Sequence, residues 1–107
     1  MSEVTVVDRS ARDFEQVTVS SVAIGFTAAK ILPTSGDFIN RPCRTVFCRA
    51  MNADMRYRVD GTDPTSSVGM PLKDGETLTL RDVSEIKDFS AIRKDSTDVE
   101  LNVFYSY

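Results

Sequence analysis

A chain of 107 residues is long enough for one domain with its own core and leaves no room for two. Apolar residues make up 41% and charged residues 27%, the balance of an ordinary globular chain, which argues against disorder. A net charge of −3 is too small to define a class of partner, and no apolar run approaches the roughly 18–20 residues of a membrane span.

Residues 1–14 fit no regular pattern and are expected to form an N-terminal arm or a first edge strand, with the folded domain over 15–107. Their acids come early and lack a basic-then-apolar leader pattern, so a soluble product kept in the cytoplasm is expected unless an assembly carries it out. Residues 14–22 (FEQVTVSSV) are rich in Val, Thr and Ser and predict a strand. Thr27–Leu32 reads either as a short strand or as one helical turn around TAAK. PTSG (33–36) is a loop.

Arg44–Ala50 alternates again, and Asn52–Asp54 supplies a turn. Met55–Asp60 gives the clearest faces, with Met55, Tyr57 and Val59 on one side and Arg56, Arg58 and Asp60 on the other, as in an antiparallel strand with one wet face. A turn-rich stretch follows, DGTDPTSSVG (60–69). Met70–Leu72, Thr77–Leu80, Val83–Ile86 and Ala91–Arg93 are short candidate strands. Val99–Tyr107 closes the chain with Val99, Leu101, Val103 and Tyr105 on one face.

Seven to nine short strands at spacings of roughly 8–12 residues, with Gly, Pro and Asp between them, predict an all-β antiparallel sandwich, with a jelly roll as the specific variant.

The chain contains no histidine. That removes Ser-His and Cys-His nucleophile pairs and the usual general base near neutral pH. GxSxG, P-loop and GxGxxG motifs are absent too. Asp60 and Asp63 are the candidate carboxylate pair for glycoside chemistry, but a polar turn gives no reason for a raised pKa. The chain is therefore expected not to be an enzyme, with no catalytic residue and no cofactor.

The same two aspartates could offer oxygen ligands to calcium, but the loop lacks the ligand periodicity of a calcium site, and turn chemistry is the simpler expectation. Cys43 and Cys48 sit an odd number apart in what reads as one strand. Their side chains should then point to opposite faces, which disfavours a disulfide and predicts two reduced thiols with at least one in the core. Without histidine or CxxC, no metal site is expected.

Between residues 41 and 58 stand five arginines (41, 44, 49, 56 and 58) against one acid, Asp54. A basic face of this kind suits an acidic protein neighbour better than nucleic acid, because lysines and nucleic-acid motifs are missing from the stretch. Arg44, Arg49, Arg56 and Arg58, with the terminal Tyr107, are the candidate partner-interface residues. Tyr57, Tyr105 and Tyr107 could make a sugar platform, although alternation puts Tyr57 and Tyr105 in core or half-buried positions.

The order of features resembles a family of small virion accessory proteins of tailed bacteriophages. It runs from a Val/Thr/Ser/Ala strand (VTVSSVAIGFTAAKIL) to a basic residue entering a core strand (RTVFCRAMN). A strand leading into an Asp-Gly-x-x-Pro loop (YRVDGTDPTSSVG) and a leucine with a Gly-Glu turn (PLKDGETLTL) follow. The Ile92–Arg93 pair and a strand ending in tyrosine (DVELNVFYSY) complete it. The likeness spans roughly residues 16–107.

The resemblance implies a head-decorating or cement-like β-sandwich, located on the virion and assembled in the host cytoplasm. Its partners would be the major capsid protein and further copies of itself, with no membrane and no nucleic acid. A carbohydrate-binding module of a tail or surface protein is the alternative, with a glycan as ligand. A tail-completion or adaptor protein is a third reading.

Overall fold

The computed structural model describes residues 13–36 and 38–107; the expected arm or edge strand lies mostly outside them. Strand β1 (Asp13–Val19) is followed by the helical turn α1 (Ala28–Ile31). Next come β2 (Thr45–Met51), β3 (Met55–Arg58), β4 (Met70–Leu72) and β5 (Thr77–Leu80). The short helix α2 (Val83–Asp88), β6 (Ser90–Arg93) and β7 (Val99–Ser106) complete the chain. All strand pairs are antiparallel, and they form two sheets, ordered β1-β7-β2-β5 and β4-β3-β6.

A one-residue bridge between Ile24 and Ala91 adds a rudimentary strand beside β6. It is closed by Ile24 N–H to Ala91 O at 2.9 Å and Ala91 N–H to Ile24 O at 2.8 Å. Counting it, each sheet has four members among the described residues, and every connection between them crosses from one sheet to the other except the β3–β4 hairpin. That is the jelly-roll order, so the all-β antiparallel sandwich takes the expected variant.

The core follows from strand alternation. Val17 and Val19 of β1, Val46, Cys48 and Ala50 of β2, and Val99, Leu101, Val103 and Tyr105 of β7 all point inward and are buried. They meet Met55, Leu72 and Ala91 from the smaller sheet. Aromatic rings from the connections fill the remaining volume: Phe26 stacks on Phe89 with centroids 4.2 Å apart, and Tyr105 meets Phe26 edge-on at 5.9 Å.

Several expectations are adjusted. Asp13 and Phe14, assigned from sequence to the arm-or-edge segment, belong to β1, which is the edge of the larger sheet. Of the two readings of Thr27–Leu32, the helical turn is realised. Val83–Ile86, expected as a strand, is helical instead. Asp82 caps it, accepting from the Ser84 N–H at 2.7 Å, and Glu85 stands in the first turn, a cap arrangement that stabilises helix starts. Cys43 lies two residues before β2, so the odd-separation argument does not reach it, and both free thiols are buried.

Candidate binding faces

The sandwich leaves two outer faces, and the arginines are divided between them. This corrects the expectation of one basic face. Arg49 projects from the outer face of β2, whose neighbours Cys48 and Ala50 point inward. Arg56 and Arg58 alternate with inward Met55 and half-buried Tyr57 on β3, in the opposite layer. Arg44 is exposed at the entry to β2, and Arg41 lies 5.9 Å from the Phe38 ring centroid.

On the smaller sheet the arginines are spent within the chain. Arg56 donates from Nε to Ser66 O and from Nη1 to Gly69 O, both at 3.0 Å, pinning the 60–69 hairpin against the sheet. Arg58 grips Asp60 in a bidentate pair, Nε–Oδ1 3.0 Å and Nη2–Oδ2 2.5 Å. The guanidinium holds the Asp60 carboxyl below its usual range; such an exposed pair adds little to stability. Asp63 accepts from the Ser90 hydroxyl at 2.8 Å. Each carboxylate of the proposed pair thus has its own side-chain donor, and the loop is built as a turn.

The hairpin is tight. Thr65 N–H donates to Val68 O at 2.9 Å, Pro64 is buried, and Gly69 sits at φ +144°, where a Cβ would lie 3.0 Å from Pro64 Cβ and 3.2 Å from Arg56 Cβ. Most of its outer surface is polar, but at its end Val68 is 54% exposed and the adjoining Met70 of β4 60% exposed, and with Val59 and Arg58 they border an open depression of about 450 Å³.

The larger sheet carries a different surface. The register aligns Phe14 with Phe104 and Phe104 with Phe47, a single cross-strand row on the outer face. Phe14 and Phe104 are 49% and 42% exposed, with ring centroids 5.2 Å apart. Thr79 of β5 ends the row. The next row holds Gln16, Asn102, Arg49 and Thr77, and the third holds Thr18, Glu100 and Met51.

No family model, no curated protein and no solved structure matches the chain. Among the described residues, no group of three or more Cys, Asp or Glu is placed to hold a metal ion, and no helix is long and apolar enough to cross a membrane.

Tyr107 is engaged within the chain: its hydroxyl donates to Lys30 O at 2.6 Å and its ring stacks on Phe38 at 5.0 Å. Tyr105 is fully buried, and Tyr57 stacks on Phe89 at 5.9 Å, so the three tyrosines form no shared platform. An open apolar groove of about 640 Å³ also runs between α1 and α2, lined by Ile31, Leu32, Pro42, Val83 and Ile86.

The aromatic row was missed at the sequence level. Alternation of β7 does put Phe104 opposite to Val103, but its partners Phe14 and Phe47 come from strands far away in the chain, and only the register aligns them.

Proposed function

We propose that the chain is a structural protein of a bacteriophage virion, a decoration or cement protein that stabilises the head through contacts with the major capsid protein. The observation that carries this reading is the exposed apolar pair Val68 and Met70 where the clamped 60–69 hairpin runs into β4. Val68, on a loop whose backbone is clamped by Arg56, and Met70, at the start of β4, stand exposed. A preorganised loop loses little entropy on docking, and exposed apolar side chains beside it supply contact area. Arg56 acts here as an organiser of the surface. Arg58, neutralised by Asp60, borders it.

The order of motifs along the chain supports the same role, as does the sandwich architecture, which viral shell proteins and lectins share. That last point is an analogy of fold alone. A small rigid body repeated by symmetry multiplies a modest contact many times over a shell.

The test is to mix the purified protein with emptied heads of tailed phages and count bound copies by gel densitometry against the major capsid protein. Hundreds of copies per head and a higher melting temperature of the shell are expected, with Met70→Asp abolishing both. A handful of copies per particle would point to a tail adaptor. Saturable binding on a glycan array without head binding would replace the proposal with a carbohydrate-recognition module.

A further inference from the structure

We infer that the outer face of the larger sheet is a self-association surface, on which a second copy of this chain docks about a two-fold axis. The inference does not depend on what the opposite face binds.

Consider a two-fold axis lying in the interface, parallel to the strands and midway between β7 and β2, the two central strands of the sheet. It exchanges β7 with β2 and β1 with β5. Phe104 of one copy then falls on Phe47 of the other, so that four rings stack at the centre and each Phe14 covers a Thr79. In the next row Arg49 faces Asn102 of the other copy, and Gln16 faces Thr77. In the third, Glu100 faces Met51, one row from the other copy's Arg49.

The face is thus complementary to itself: rings meet rings, each Arg49, whose Nε also donates to Gly75 O of its own chain at 3.0 Å, lies between an amide and a carboxylate of the other copy, and no like charges are opposed. Isologous interfaces require this property. The aligned packing of two twisted sheets supplies a suitable geometry, with mean strand directions within about 30° of each other. A dimer would also remove exposed phenylalanine from water.

The face is small. Four strands at about 4.8 Å and up to seven residues at about 3.3 Å give a footprint of at most about 19 by 23 Å, because β5 is only four residues long. That is below the roughly 800 Å² per partner of a standard interface. The dimer is therefore a weak, transient one.

Sedimentation equilibrium from about 1 µM to about 1 mM should show wild-type chain passing from monomer to dimer. Phe104→Asp should weaken the dimer by at least about tenfold while leaving the β-sheet circular-dichroism spectrum unchanged.

Charge reversal separates contacts between copies from contacts within one. Arg49→Glu alone opposes two carboxylates twice across the axis, and Glu100→Arg alone opposes two guanidiniums twice. Each variant should be monomeric. Mixed in equal amounts they should form a heterodimer, because both cross-axis pairs are then of opposite charge. Should a variant fail to fold, isotope-filtered nuclear Overhauser contacts between Phe104 and Phe47 rings of different wild-type copies give the same answer. A wild-type chain that stays monomeric throughout, or a mixture that associates no better than its components, overturns the inference.

Discussion

The Tyr105 hydroxyl donates to Glu15 Oε1 at 2.8 Å, and the other oxygen of that carboxylate accepts from the Thr27 hydroxyl at 2.5 Å. The two residues sit diagonally across the β1–β7 ladder, so one carboxylate ties the edge strand to the centre of the sheet and to the chain leaving it. Tyr105→Phe keeps the buried ring and removes only the donor. It is expected to cost about 1–2 kcal/mol in urea unfolding, and Glu15→Gln, which keeps an acceptor, should cost less. An unchanged midpoint for Tyr105→Phe would show that the bond contributes nothing.

Gly25 is tested by the smallest possible enlargement. A Cβ there would sit 2.6 Å from Phe89 O, a backbone atom that cannot swing away. Gly25→Ala must therefore displace the Ile24–Ala91 bridge next to it. The expected loss is about 1–3 kcal/mol, as for other overpacked sites, with faster amide exchange at Ala91.

Arg56→Lys keeps the charge and loses the planar fork that serves two carbonyls at once. Exchange at residues 65–69 should accelerate and protease nicking should appear in the hairpin, while global stability falls by about 1 kcal/mol. Unaltered exchange there would mean that the turn holds itself.

Alkaline pH should unfold the protein. Burial pushes the Cys48 thiol up to about 12 from an ordinary value of 9.0, and Cys43 is raised by burial as well. Tyr107 is pushed up to about 12 from 10.0 by burial, with Asp13 adding to the shift. Tyr105 rises too, through burial and then the carboxylate of Glu15. In each case the folded state holds its proton more tightly than the unfolded chain. The stability this contributes is complete below pH 9 and is lost as pH climbs from there toward 12. Denaturant midpoints across that window should fall steadily. At neutral pH, a thiol reagent should label Cys48 only at the rate of unfolding.

How far the chain could be read from its residues varied by element. In β7 all four inward positions, Val99 to Tyr105, are both alternating and fully buried, so a period of two was enough. In α2 the apolar residues Val83 and Ile86 are three apart, a spacing too short to show a period. The signal lay in Asp82 and Glu85, an acid at the cap and another three residues on, which is helix-start chemistry.

Ile24 could not have been recognised as a strand, since one bridge defines it. The arginines misled in a different way: proximity in sequence suggested one face, but the turn at Asn52 carries β2 and β3 into opposite sheets. Whether Arg56 met solvent or a carbonyl was decided by the path of a loop ten residues further on, which local pattern does not encode.

The position of β7 has a consequence for how the molecule comes into being. β7 lies between β1 and β2, so among the described strands β1 has no neighbour until residues 99–106 have been made, whereas β2 can already pair with β5. Pairing of Val17 with Leu101 joins the first and last described strands, and such distant closure slows the search for the native state. The larger sheet is therefore completed only once residues 99–106 are available, and until then the inner edge of β1 stays open.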